Sequence, residues 1–157
     1  MSGNVSPVGS AGSDFQYNVP SPLTVTVSGQ LQSNKDYRKI GDGMLILSGN
    51  NNYTGETFVD AGTMRVDGTT SNQGAYTVAS GARLEGGGVI TLAAGNDFTL
   101  ESGAELAPGA SIGTLTVNGD VAFADGAQYE WEYDVATQDL TVVNGTLTLG
   151  STATINA

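Results

Sequence analysis

Short alternating apolar stretches return behind a glycine about every twenty residues: GDGMLIL, AGTMRV, SGARLEG, SGAELAPG, DGAQYEWEY and NGTLTL. Aligned on the first inward apolar residue they give Leu45, Met64, Leu84, Leu106, Tyr129 and Leu147, separated by 19, 20, 22, 23 and 18 residues. Between them lie further short strands, among them ETFVD, AYTVA, GVITL, DFTLE, IGTLTV, DVAFA and DLTVV. A strand of this length exposes one apolar face, and a repeat holding two or three such strands buries that face only by stacking on its neighbours. The pattern therefore predicts an all-β fold, a parallel β-helix of five to six coils forming a rod of roughly 25–30 Å at about 4.8 Å per coil. Expected inward positions are Leu47, Val66, Val78, Leu100, Val117, Phe123, Val142 and Ile155, with threonine ladders outside.

The stretch LSGNNNYTGETFVDAGTMRV at 47–66 reads as corner, strand, corner, strand. Gly49, Gly55 and Gly62 are expected at turns with positive φ, and Asn50, Asn51 and Asn52 as residues tolerant of left-handed geometry. Because the offset from glycine to apolar residue varies between coils, the glycines are expected to mark turns without stacking in register. Residues 1–14, rich in Gly, Ser, Pro and Asn, read as a flexible tail. Residues 15–40 read as an N-terminal strand segment with a connection, and 41–157 as the β-helix. In the N-terminal segment PLTVTV alternates, with Leu23, Val25 and Val27 on one face. The adjoining QLQSNKDYRK, with Lys35, Arg38 and Lys39, reads as a solvated connection.

With 157 residues the chain is long enough for one domain. Its charge is strongly negative, five basic against sixteen acidic residues, and ten of the acids come after Arg83, the last cation. Such a surface repels phosphate backbones and anionic lipid, which argues against nucleic-acid binding. No apolar run reaches the ~20 residues of a membrane helix, so no membrane insertion is expected. Cys and His are both absent from the sequence. That removes disulfides, thiol nucleophiles, imidazole bases and ordinary zinc sites. The opening MSGNVSPVGSAGSD has neither the charged n-region nor the apolar h-region of an export leader.

Two features bear on chemistry. In EWEYD, strand alternation would set Glu130, Glu132 and Asp134 in an outward row opposite Tyr129, Trp131 and Tyr133. Carboxylate rows serve catalysis in β-helix polysaccharide-degrading enzymes, but this one has no basic partner nearby in sequence and reads better as a solubilising face. No catalytic residue and no enzyme activity is expected. Trp131 reads as a bulky core or end-cap aromatic in preference to a sugar platform. The acidic excess is a solvated face, with weak surface Ca²⁺ binding as the functional alternative; no cofactor or metal is expected, since no D-x-D-x-D-G loop occurs.

Residues 39–66, KIGDGMLILSGNNNYTGETFVDAGTMRV, resemble the autotransporter-associated β-strand repeat, with pattern K-x-G-x-G-x-L-x-L-x-G-x-N-x-Y-x-G-x-T-x-V-x-x-G-x-L. Glu56 stands where a second glycine is common, and Met64 replaces Leu. The later GAELAPGASIGTLTVNGDVAF and QDLTVVNGTLTLGSTATI resemble the coils that commonly come after that repeat in bacterial surface proteins. The resemblance implies a right-handed parallel β-helix in a secreted, passenger-like region, hence an extracellular or cell-surface location.

A β-helix also exposes unpaired strand edges at its ends. Leu23, Val25 and Val27 near one terminus and Ala153 and Ile155 near the other are the expected subunit interface, joining copies end to end or by strand addition into a homo-oligomer or fibre. The functional expectation is a non-catalytic extracellular stalk or filament subunit, with an adhesin or glycan-binding module as the alternative.

Overall fold

The computed structural model describes residues 14–157, so the expected tail lies outside the described residues apart from Asp14. Every element among the described residues is a strand. The first coil holds β1 (Phe15–Asn18) and β2 (Thr24–Val27), with Pro20 and Pro22 in the turn between them. The second holds β3 (Tyr37–Ile40), β4 (Met44–Leu47) and the short β5 (Asn50–Asn51). The third holds β6 (Thr57–Val59), β7 (Thr63–Val66) and β8 (Thr69–Gln73), and the fourth β9 (Tyr76–Val78), β10 (Arg83–Gly86) and β11 (Val89–Leu92). The fifth comprises β12 (Asp97–Leu100), β13 (Glu105–Pro108) and β14 (Thr114–Asn118), and the sixth β15 (Asp120–Phe123), β16 (Gln128–Glu130) and β17 (Leu140–Val143). A last coil contributes β18 (Leu147–Leu149) and β19 (Thr154–Asn156).

These strands form three sheets of seven, seven and five strands, in the orders β1-β3-β6-β9-β12-β15-β18, β2-β4-β7-β10-β13-β16-β19 and β5-β8-β11-β14-β17. All the strand pairs within them are parallel. The chain is thus a three-sided parallel β-solenoid of about six turns, as the repeat predicts. The N-terminal segment 15–40 supplies the first rungs of the same sheets.

The solenoid is built by an alternation that survives its corners. From Tyr37 to Val59 every odd-numbered residue except Gly41 is buried, and no even-numbered residue is. One column of the core runs Val25, Leu45, Met64, Leu84, Leu106, Tyr129 and Ile155. Its steps are 20, 19, 20, 22, 23 and 26 residues, so the coils lengthen toward the C-terminus. Leu147, aligned with this column by its glycine frame, instead pairs with Val121 in the first sheet. A nine-residue excursion between Glu130 and Leu140 displaces the frame at that coil. On the third sheet the inward column is Asn51, Thr70, Ile90, Val117 and Val143. Val143, and not Val142, therefore continues the core. Leu47, Val66, Val78, Leu100, Val117 and Phe123 are buried as expected.

The glycines stack more strictly than their spacing implies. Gly29, Gly49, Gly68 and Gly88 lie above one another at the corner between the second and third sheets. A Cβ on Gly68 would stand 2.1 Å from the Gly49 carbonyl oxygen, and one on Gly88 would stand 2.2 Å from that of Gly68. Close backbone approach, and not positive φ, fixes glycine at Gly49 and Gly55. Gly62, by contrast, has φ +63°. The asparagine triplet is not left-handed either: Asn50 and Asn51 form β5, and among the described non-glycine residues the positive φ belongs to Asn72.

Candidate functional site

The polar residues of segment 39–66 do structural work at the coil boundaries. Lys39, read from the sequence as part of a solvated connection, is 1 % exposed and occupies an inward position between Tyr17 and Val59. Its Nζ donates to the carbonyl oxygens of Gly41 (2.6 Å), Ala61 (2.9 Å) and Ile40 (3.3 Å), tying the second coil to the third. Burial pushes its ammonium down to about 8, against an opposing pull from Asp42. A buried charge survives there because the corner carbonyls solvate it. Asn51 does the same at the next corner: its Oδ1 accepts from Leu31 N–H (2.9 Å) and its Nδ2 donates to Gly49 O (3.1 Å). Tyr53 Oη is bonded to Thr57 Oγ1 (2.7 Å) and Tyr76 Oη (3.2 Å), and burial raises both phenols.

The cations are equally engaged. Arg38 pairs with Asp60 and lies 4.2 Å over the Phe58 ring, Arg65 pairs with Asp67 at 2.7 Å, and Arg83 bridges Glu85 and Glu105. With Lys39 buried, Lys35 is the cation left without an ion pair among the described residues. The exterior is accordingly dominated by carboxylates.

The two ends differ. At the N-terminal end β1 and β2 are the edge strands of their sheets among the described residues; Val25 and Val27 are half-buried against the core and Leu23 is exposed. Around the last rungs Leu140, Leu147, Leu149 and Ile155 are exposed about a concavity of about 620 Å³ that Phe123, Tyr129 and Trp131 help to line. Ile155, expected inward, holds an inward register on the edge strand β19 and is 74 % exposed. Ala153 is half-buried at the same end. The expected interface residues are therefore not brought together. They sit at the opposite edges of one sheet, β2 at one and β19 at the other.

Residues 131–139 form an excursion beside this concavity, so the expected outward row of carboxylates on one long strand does not exist. β16 ends at Glu130, whose Oε1 accepts from Asn156 Nδ2 (2.7 Å). Beyond it the chain doubles back, with Tyr133 bridging Gln138 in antiparallel fashion. Asp134 Oδ1 accepts from the backbone of Ala136 and Thr137, both 2.7 Å, which holds its carboxyl below the usual range. The anchor is Asp139, 4 % exposed, whose Oδ1 accepts from Gly113 N–H (2.8 Å) and Oδ2 from Glu132 N–H (2.9 Å). Sequence reasoning missed Asp139: alternation assigns it no role, and its partners lie 26 and 7 residues away. Trp131 is half-buried, stacks on Tyr133 (5.1 Å, 24°) and donates Nε1–H to the Asp139 carbonyl (3.2 Å), flanking the end of the core. Among the described residues no three acidic side chains converge as a metal site would require.

Comparison with known proteins locates this architecture. Residues 38–66 match the passenger-associated-transport-repeat family model, and that segment runs from β3 to the end of β7. The chain is 38 % identical over 94 residues to an extracellular serine protease of Serratia marcescens, covering 60 % of this chain and 8 % of the relative. It is also 38 % identical over 87 residues to the adhesin BmaC autotransporter of Brucella suis biovar 1 (strain 1330), covering 55 % of this chain and 2 % of the relative. The chain thus spans less than a tenth of the length of either. Residues 38–66 thus match a passenger-associated transport repeat, carried in a β-solenoid whose similarity to an extracellular enzyme and an autotransporter adhesin indicates a secreted or cell-surface location.

Proposed function

We propose that the chain serves as a rigid, non-catalytic scaffold of an extracellular or cell-surface protein, a stalk-like spacer that needs no cofactor. The observation that carries this reading is the use made of its polar groups. Lys39, Asn51, Gln73 and Asp139 direct their polar atoms at backbone groups of neighbouring coils, and the arginines lie in ion pairs on the outer faces. Side chains of the kinds that bind or transform ligands elsewhere are here engaged in holding rungs together. The serine protease activity named for the Serratia relative belongs to a protein of which this chain matches 8 %.

A second reading, an adhesive or glycan-binding module, is favoured by one feature. The excursion at 131–139 carries Tyr133 at 65 % exposure stacked on Trp131, with Glu132 and Asp134 exposed alongside. An aromatic face flanked by carboxylates is a surface on which a sugar ring stacks. A carbohydrate array combined with electron microscopy of concentrated protein separates the two. Rods without glycan hits support the scaffold; a reproducible hit that Tyr133→Ala removes supports the adhesive module and contradicts the scaffold as the sole role.

A further inference from the structure

We propose that the outer face of the third sheet is a binding surface for a neutral, extended polysaccharide laid along the rod, one sugar to a rung. The inference goes beyond the scaffold reading by giving the rod a ligand, and it is independent of the aromatic pair at 131–139.

Charge distribution comes first. No residue of β5, β8, β11, β14 or β17 is charged. The arginines and the ion pairs they form belong to the other two sheets, Arg38 to β3, Arg65 to β7 and Arg83 to β10. Alternation turns Thr70, Ile90, Leu115 and Val117 into the core and leaves Asn50, Thr69, Val89, Thr116 and Val142 as one outward column of register partners. Beside it Thr91 and Asn118 form a second. The face is therefore built of amides, hydroxyls and methyl groups in an otherwise acidic molecule.

These side chains hold one another from coil to coil. Thr69 Oγ1 donates to Asn50 Oδ1 (3.0 Å), Asn118 Nδ2 to Thr91 Oγ1 (2.9 Å), and Asn144 Nδ2 to Asn118 Oδ1 (2.7 Å). Each bond uses only part of the available capacity: Asn118 keeps a second N–H, and Thr91 keeps its O–H. The groups are ordered before a ligand arrives, so little side-chain entropy is lost on binding. Val89 and Val142 supply apolar ground between them for the C–H face of a pyranose.

The borders of the face select the occupant. On one side runs the glycine corner of Gly49, Gly68 and Gly88, which has no side chain to obstruct a flat ligand. On the other stand Asp36, Glu56, Asp97 and Asp120, each at the entry to a first-sheet strand, with Lys35 the cation beside them. This row repels an acidic polymer, and a second copy of the chain, itself at net charge −11, meets the same repulsion. A neutral glycan meets none, and its hydroxyls donate to those carboxylates. Spacing agrees with this choice. Rungs recur at about 4.8 Å, and an extended chain of β-linked pyranoses advances by nearly that distance per sugar, so successive sugars meet successive coils.

Affinity electrophoresis of the full chain in native gels tests this, with hydroxyethylcellulose, galactomannan and arabinoxylan as neutral β-linked probes and polygalacturonate as the acidic comparison. The wild type is expected to be retarded by at least one neutral glycan and not by polygalacturonate. Thr69→Glu with Thr114→Glu, both at exposed outward positions, is expected to weaken that retardation on the order of tenfold or more while the melting temperature is kept. If the double variant loses its β dichroism, Asn50→Glu, also at an exposed position, is read in its place. Thr77→Glu on the first sheet and Tyr133→Ala are expected to stay within about twofold of the wild type. No retardation by any of the three neutral glycans, equal retardation by polygalacturonate, or a folded third-face variant retarded like the wild type would each overturn the proposal. Loss of retardation in Tyr133→Ala would overturn it by moving the glycan to the excursion. A concentration-dependent dimer in sedimentation velocity that the third-face variant dissolves would overturn it by assigning the face to a second copy.

Discussion

Lys39 in the second coil donates its ammonium hydrogen to the carbonyl oxygen of Ala61 in the third, 2.9 Å away, from a position 1 % exposed to solvent. The lysine of the repeat is thus a pin between coils and not a surface charge. Burial lowers it to about 8, whereas the unfolded chain holds that proton to about 10.5. Between those limits the unfolded state binds more protons, so stability rises with pH; the contribution is complete above about 10.5 and is lost as pH falls through 8.

The core tyrosines act in the opposite sense. Burial raises Tyr17, Tyr53 and Tyr76, and pushes Tyr37 up to about 12. Above about pH 10 the unfolded chain sheds phenolic protons that the folded chain keeps, and stability falls. Melting temperature is therefore expected to climb from pH 8 toward 10, by a contribution on the order of 2 kcal/mol, and then to drop. Lys39→Met should abolish the climb and leave the drop. A wild-type melting temperature flat from pH 8 to 10 would count against the buried charge.

Gly68 lies over Gly49 at a corner where a methyl group would meet a carbonyl oxygen at 2.1 Å. The atoms it would meet, in Gly49 and Ser48, are all backbone, so nothing soft yields, and Gly68→Ala is expected to cost about 2 kcal/mol or more. Gly87 is the control. A Cβ there would meet Thr114 O at 3.6 Å, and Gly87→Ala is expected to stay within about 0.5 kcal/mol. Urea titration of the two variants checks both; equal stabilities would deny the glycine stack.

Asp139 anchors the excursion through two charge-assisted bonds to backbone N–H groups. Asp139→Ala leaves those donors unpaired and is expected to cost about 2 kcal/mol. Trp131, the single tryptophan, reports the change, because its indole N–H is bonded to the Asp139 carbonyl. Its emission should shift to the red in the folded variant. An unshifted spectrum with unchanged stability would mean that the excursion holds itself without this residue.

The stack was legible in the sequence because burial keeps a period of two through Leu45, Leu47, Tyr53, Thr57 and Val59. What alternation cannot carry is the outcome of contacts between distant residues. Nothing local to Lys39 distinguishes a solvated lysine from one solvated by the carbonyl of Ala61, 22 residues on. The glycine column was hidden because its cause is the carbonyl of the coil below, which no single coil displays. The frame also failed at Leu147, where the excursion at 131–139 lengthens one coil and displaces the strands after it. At the candidate site, the sequence identified Leu23, Val25, Val27, Ala153 and Ile155 as residues near the termini. That β2 and β19 are opposite edges of one sheet emerged only from the stacking.

Pulsed electron-paramagnetic distances along one outward column test the stacking most directly, and the cysteine-free chain makes selective labelling straightforward. Phe58, Thr77, Thr99, Ala122 and Thr148 are register partners on successive rungs of the first sheet. With one label at Thr148→Cys and the other at Thr77→Cys or Phe58→Cys, backbone separations of about 14 and 19 Å are expected, an increment of about 4.8 Å per coil. Distances that fail to grow coil by coil, as in an antiparallel meander, would contradict the account.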